Sequence, residues 1–301
     1  MNPRLVRCVI PCLLGVPALA DTLVYFEEDG GAGPRGLYNF DSATGVSTLR
    51  TTVGGTQRFF GLVTQPGTGL VYASDPANTS TLWTLDINTG AATQVGPING
   101  DTIADITFDP ATGVLYGMGR NSSRLYTISI STGAPTLVGT SDAQVRCGLT
   151  FSPSGQLYAF STTGILYSVD KTTAAATLIG GGVPGSLVED AEFTSDGHLY
   201  FTSFYGQIYR VDPATGGTTQ VGDTGAGTGF LGIISAPAAG RYANCDASTV
   251  QPILNVLDFT CFLNRFAAGD TYANCDGSTT QPVLNVLDFG CFLNRFAVGC
   301  S

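Results

Sequence analysis

Apolar and polar residues alternate in short runs along most of the chain, each too short for a helix, until about residue 250. The stretch 148–180 shows the pattern most plainly. GLTF (148–151), QLYAFS (156–161), ILYSVD (165–170) and ATLIG (176–180) follow one another, with turns at Ser152-Pro153-Ser154-Gly155 and Thr163-Gly164. Alternation with a period of two predicts half-buried β-strands, and the intervening Gly, Pro and Ser residues predict tight turns. The second strand of this unit aligns with LVYASD (70–75), VLYGMG (114–119) and HLYFTS (198–203). Its third strand aligns with LWTLD (82–86), LYTIS (125–129) and IYRVD (208–212).

A D-x-x-T-G turn, or a close variant, follows each third strand, starting at Asp41, Asp86, Ser129, Asp170 and Asp212. The intervals are 45, 43, 41 and 42 residues, the period of a four-stranded propeller blade. The segment TLVYFEE (22–28) matches a second strand and FLGIIS (230–235) a first strand. Joining them completes a fifth blade from both ends of the array and removes two exposed sheet edges. The fold class is therefore mainly β: a five-bladed β-propeller over residues 21–236, closed by both termini.

Composition narrows the function. Formal net charge is −10, with Lys171 the single lysine, so the basic stripe that nucleic acid requires is missing. His198 is the single histidine, which nearly excludes histidine-dependent metal or acid–base chemistry. Arg4 and Arg7, an apolar run from Val9, and Ala18-Leu19-Ala20 have the layout of a secretory signal over residues 1–20. A chain exported this way would be extracellular or held at the cell surface, with no membrane span. Beyond residue 20 the cysteines are Cys147, Cys245, Cys261, Cys275, Cys291 and Cys300. In an exported chain these predict disulfides, with 15 possible connectivities.

After a short linker (237–241), residues 242–301 hold a tandem duplication. Residues 241–270 and 271–300 align without a gap at an offset of 30. Each copy runs Asn-Cys-Asp, a polar loop, then Leu-Asn-Val-Leu-Asp-Phe and an apolar helix carrying Phe259, Phe262, Leu263 and Phe266 in the first copy. One apolar face of this kind predicts mutual packing of the two helices.

These residues resemble a dockerin, a pair of loop–helix half EF-hands that plugs a protein into a scaffold, and most of all the cysteine-containing dockerin type. The resemblance implies about two calcium ions. The ligands it implies are Asn244, Asp246, Ser248, Asn255 and Asp258 in the first loop, and Asn274, Asp276, Ser278, Asn285 and Asp288 in the second. Three extra residues separate the Asn/Asp pair from Asn255, compared with the ordinary twelve-residue loop. Two carboxylates per loop predict weak affinity, about 10⁻⁴–10⁻³ M. The competing reading is that Asn and Asp merely cap the helix; the duplication favours calcium.

Dockerins present their scaffold-recognition pair at the helix start. That implies Val256 and Leu257, with Val286 and Leu287, as two equivalent docking faces, aided by Arg265 and Arg295. Pairing Cys245 with Cys261 and Cys275 with Cys291 would staple each loop to its own helix, and exchange between the repeats is the alternative. Cys147 and Cys300 have no counterpart in the repeats and are left either free or paired with each other.

Two functions fit. One is an exported, non-catalytic propeller that binds a protein or glycan and is tethered to a scaffold or cell-surface protein by the tail. The other is a dockerin-borne carbohydrate-active enzyme acting on polysaccharide, with acids in the channel. Asp105, Glu189, Asp190 and Glu192 are the inward candidates for such acids, and the sequence favours solvated turn or edge positions for Asp105 and Asp190. Tyr72, Tyr116, Tyr158 and Tyr200 recur at one strand position, and Trp83 shares a column with Tyr126, Tyr167 and Tyr209; both columns are read as packing.

Overall fold

The structure is a computed structural model of the 301-residue chain. It describes residues 22–28, 33–66, 68–76, 80–183, 187–194, 197–225, 229, 232–235, 245, 256–270, 273–275 and 284–298. Residues 1–20, expected to be a signal, and the expected linker, 237–241, lie outside these.

Five antiparallel four-stranded sheets form the propeller. Blade 1 contains β1 (Thr22–Glu27), β2 (Gly36–Asp41) and β3 (Ser47–Thr52). Blade 2 contains β4 (Gly61–Thr64), β5 (Val71–Asp75), β6 (Thr81–Leu85) and β7 (Ala92–Pro97). Blade 3 contains β8 (Ile103–Phe108), β9 (Leu115–Gly119), β10 (Arg124–Ile128) and β11 (Pro135–Thr140). Blade 4 contains β12 (Cys147–Phe151), β13 (Leu157–Phe160), β14 (Ile165–Val169) and β15 (Ala176–Gly181). Blade 5 contains β16 (Val188–Phe193), β17 (Leu199–Ser203), β18 (Gln207–Val211) and β19 (Thr218–Asp223). The innermost strand of blade 1 is β20 (Ile233–Ser235), which pairs with β1 through Leu23–Ser235, Val24–Ile234 and Tyr25–Ile233. The innermost strands touch in the cyclic order β20, β4, β8, β12, β16, so the ring closes as the sequence predicts.

Two repeated features explain the motif. In the D-x-x-T-G turn the aspartate accepts backbone amides: Asp41 Oδ1 takes Ala43 N at 2.9 Å and Thr44 N at 3.0 Å. These bonds hold the Asp41 carboxyl below its ordinary value. The last residue of the turn adopts a left-handed backbone, φ +70° at Gly45 and +74° at Gly90 and Gly216, which glycine accepts without steric cost. The glycine ending the fourth strand has a different reason. A Cβ on Gly96, Gly139 or Gly180 would strike the carbonyl of Thr132, Thr173 or Thr215 in the next blade's turn. The V-G and T-G elements are thus two sides of one inter-blade contact.

Aromatic residues fill the seams. Tyr72 packs on Phe108, Tyr116 on Phe151 and Tyr158 on Phe193, each tyrosine against the next blade's innermost strand at centroid distances of 5.3–5.5 Å. Trp83 packs on Phe59. Both aromatic columns are packing, as the sequence predicts.

The tail contains α1 (Val256–Ala267) and α2 (Val286–Val298). Two phenylalanines of the first repeat meet their own counterparts from the second. The Phe262 and Phe292 rings stack at 4.2 Å, and those of Phe259 and Phe289 meet edge-on at 5.6 Å. Leu263 departs from the expected apolar face: it is 40 % exposed, because the phenylalanine rings already fill the contact between the helices. Disulfides join Cys245 to Cys261 and Cys275 to Cys291, one within each repeat. Among the described residues no helix is long and apolar enough to cross a membrane.

Candidate functional site

Asp105 and Asp190 occupy the centre of the ring. Both are fully buried, which corrects the expectation of solvated turn or edge positions. The reason is their place in the repeat. Gly61, Asp105, Gly148, Asp190 and Gly232 stand one per blade at one position of the innermost strand, directly before Leu62, Ile106, Leu149, Ala191 and Ile233. A side chain has no room at the glycine positions: Asp105 crowds Gly61, while Phe160, Val188 and Ala191 crowd Gly148. A Cβ on Gly61 would lie 2.6 Å from Asp105 Oδ1, and one on Gly232 would lie 2.7 Å from Leu62 Cγ.

All five following amides donate into the pair. Asp190 accepts Leu62 N at 2.9 Å, Ile233 N at 2.7 Å and Ala191 N at 2.7 Å. Asp105 accepts Leu149 N at 2.5 Å and Ile106 N at 2.6 Å. The two carboxyls are close enough to act on each other electrostatically, which favours one of them being protonated. Burial, with the neighbouring Asp190 charge, pushes Asp105 well above its ordinary value; burial raises Asp190 to about 7. Glycosidase carboxyls stand at least about 5 Å apart with substrate between them. A fully enclosed pair whose oxygens are taken by backbone amides admits no substrate, and it acts as a structural clasp.

Glu192 accepts Ser235 N at 3.0 Å, and burial lifts its carboxyl to about 8. Thr107 and Thr150, at the same place in their blades, take Phe151 N and Phe193 N in the same way, so Glu192 also clasps blades. Glu189 lies at the opposite end of β16, 2 % exposed, with its Oε1 3.5 Å from Arg120 Nη2. Burial holds its carboxyl up at about 7 despite Arg120. Beside it the Cys147 thiol is free and buried, and burial pushes it up to about 12. At the seam of blades 1 and 5 a cavity of about 430 Å³ is lined by Tyr25, Glu27, Tyr38, Ser47 and Asp223.

In the tail, Asp258 and Asp288 are fully buried in the first turns of their helices. Around α2 the side chains interlock: Asn285 Oδ1 accepts Leu287 N at 2.8 Å, and Asp288 Oδ2 accepts Asn285 N at 2.8 Å. This is a reciprocal capping box, the helix-cap arrangement the sequence allows. It leaves acceptor capacity on Asp288, since a carboxylate offers about four lone-pair sites. The donor set is all oxygen, which suits a hard cation such as calcium. Asn274 is half-buried next to Cys275. Asn244, Asp246, Ser248, Asn255, Asp276 and Ser278 lie outside the described residues, as does the side chain of Arg295.

Of the expected docking residues, Val256 and Leu257 are 72 % and 60 % exposed, and Val286 and Leu287 are 78 % and 64 % exposed. Arg265 pairs with Asp270 at 3.0 Å.

A family model described as a repeat of unknown function, DUF6923, matches residues 106–249. None of the curated proteins compared with the chain matches it. Similar solved structures include a nidogen/laminin complex, at 11 % identity and a TM-score of 0.48, over 71 % of this chain and 97 % of that one. Another is a protein of unknown function from Bacteroides thetaiotaomicron, at 13 % identity and a TM-score of 0.46, over 67 % of this chain and 55 % of that one. A third is TolB from Acinetobacter baumannii, at 14 % identity and a TM-score of 0.47, over 70 % of this chain and 55 % of that one. The chain thus spans about half the length of the last two.

Proposed function

We propose that this protein is an exported, non-catalytic binding propeller, tethered to a scaffold or cell-surface protein by a calcium-binding, dockerin-like tail. The observation that carries this reading is the pair of exposed Val-Leu steps, each beside a fully buried aspartate at a helix start. An apolar pair left in water next to an all-oxygen cation site has a ready use as a docking patch. The two helices meet counterpart against counterpart, so the patch occurs twice in equivalent settings. Calcium would organise each loop around Asp258 or Asp288 and fix the helix start that carries the patch. The two disulfides add stability to a unit too small to be secure on its core alone, and they suit an oxidising compartment.

The test uses the full chain as bait against the extracellular proteins of its source, with calcium or with chelator. Capture of a discrete partner should require calcium. It should survive V256E/L257E alone or V286E/L287E alone, and vanish when all four residues are changed, with the propeller still folded. Capture that ignores both chelator and the fourfold change would refute the reading.

A further inference from the structure

A short link joins β7 of blade 2 to β8 of blade 3; its ends are pinned and its middle is not. Ile98 N donates to Ser80 O at 2.6 Å and Ile103 N to Ser80 Oγ at 2.7 Å, and both isoleucines are fully buried. Asp101 accepts Thr102 N at 2.8 Å, the Tyr126 hydroxyl at 3.2 Å and the Ser122 hydroxyl. Between these anchors Asn99 and Gly100 are both exposed.

Asn99 is the only asparagine of the chain that is followed by glycine. Asparagine is a thermolabile side chain, and a glycine after it presents no side chain to hinder attack by the backbone nitrogen. An Asn-Gly step commonly turns a two-residue hairpin, where ladder bonds on either side hold it. Here the two strands belong to different blades, so no ladder spans the step. Among the described residues, neither the Asn99 side chain nor the Gly100 amide makes a hydrogen bond. Nothing lies within 4 Å of where a Gly100 side chain would begin. Gly100 N can therefore swing onto the Asn99 side-chain carbon without breaking a hydrogen bond or meeting another group. Other described asparagines lack this freedom. Asn39 and Asn88 each accept Arg50 through Oδ1, and Asn121 and Asn264 precede Ser122 and Arg265, whose side chains hinder the approach.

We propose that Asn99 is a modification site of the folded protein, deamidating spontaneously to aspartate and isoaspartate. Gly100 N attacks Asn99 Cγ, and the new C–N bond closes a five-membered succinimide. The bond from Cγ to the side-chain nitrogen breaks, and that nitrogen leaves as ammonia, taking the proton lost by Gly100 N. Water then opens the ring at either carbonyl, giving aspartate or isoaspartate. Nothing is oxidised or reduced, and water is the only co-reactant. Either product adds a negative charge two residues from Asp101, in a chain whose net charge is already −10. Isoaspartate also adds one backbone atom to a link that is pinned at Ile98 and Asp101, beside the seam of blades 2 and 3. The site is independent of the propeller's ligand and of the tail.

The experiment ages the full chain in mildly alkaline buffer, folded or unfolded in guanidinium, and samples it over several weeks. Peptide mapping by mass spectrometry follows each asparagine, and methyl transfer by an isoaspartyl methyltransferase measures isoaspartate. In the folded protein Asn99 should convert at least tenfold faster than Asn39, Asn88, Asn121 or Asn264, with isoaspartate the larger product. Its rate should lie within about threefold of the rate in guanidinium, because the fold leaves the step unprotected. N99Q should remove most of the methyl acceptance, since glutamine would have to close a larger ring. Melting curves establish that N99Q is folded. The proposal is overturned if folded Asn99 converts more than about threefold slower than in guanidinium, if one of the four other asparagines converts as fast, or if folded N99Q accepts methyl groups as the parent does. None of these results bears on calcium-dependent capture by the tail, so the two readings fail separately.

Discussion

Asp105 and Asp190 are buried together at the centre of the ring, and between them they accept one backbone amide from every blade. The two aspartates lie 85 residues apart in the chain and tie the innermost strands of all five blades together at the centre of the ring. Two acids suffice for the five equivalent positions, because their oxygens take all five amides, and a side chain on Gly61 would strike Asp105.

Removing one member should be costly. Asp190→Ala leaves the Leu62, Ala191 and Ile233 amides unpaired in the core, and should lower stability by about 3–5 kcal/mol, the range for breaking a buried polar pair. Asp105→Asn turns one acceptor oxygen into an NH2 and leaves one amide, Ile106 or Leu149, unpaired rather than three, so it should cost less, about 1–3 kcal/mol. Urea unfolding of both variants checks the ranking. Equal, small effects would mean the pair is not a clasp.

The same burial sets a pH dependence. Asp190 and Glu189 rise to about 7 and Glu192 to about 8, from ordinary values of 3.8 for Asp and 4.5 for Glu. The folded chain therefore holds protons that the unfolded chain releases. The stability these groups contribute is complete below the ordinary carboxyl values and is lost as pH rises through 7–8. Turn aspartates such as Asp41 and Asp212 are shifted down, and their contribution fails only under stronger acid. The urea midpoint should fall steadily from pH 5 to pH 8, and Glu192→Gln should flatten the upper part of the decline. A midpoint that climbs over this range would contradict the assignment.

Most of the propeller is legible in the sequence because its causes are local. Strand alternation, Asp-initiated turns and positive-φ glycines act within a few residues, and the matching ends at 22–28 and 230–235 announce closure. The within-repeat cysteine pairing, preferred over exchange between the repeats because it staples each loop to its own helix, is the one the structure has. The axial pair was not legible, because Asp105 and Asp190 each look like an acid near a strand start. Its signal was present all the same: aligned by repeat, positions 61, 105, 148, 190 and 232 read Gly, Asp, Gly, Asp, Gly. Small residues alternating with acids at one strand position imply a crowded axis. Leu263 was misplaced for a different reason. Helical spacing puts it beside Phe262, but spacing alone does not say how much of the stripe a short two-helix contact can cover.

Reduction should separate the two parts of the chain. Each disulfide links cysteines 16 residues apart, a loop worth about 3 kcal/mol in chain-entropy terms. Treatment with a phosphine reductant should abolish the far-ultraviolet helix signal of the tail and leave the β signal and the propeller's melting transition unchanged. Parallel loss of both signals would show that the propeller depends on the tail.

The central claim is that the duplicated loops bind calcium. Calorimetric titration of the full chain with calcium tests it most directly. The account predicts about two sites, one remaining in either Asp258→Ala or Asp288→Ala and none in the double variant, with the propeller's melting transition retained in all three. No calcium heat in the intact protein, together with tail helicity that a chelator leaves unchanged, would reduce Asn285 and Asp288 to a capping box and remove the basis for a calcium-dependent tether.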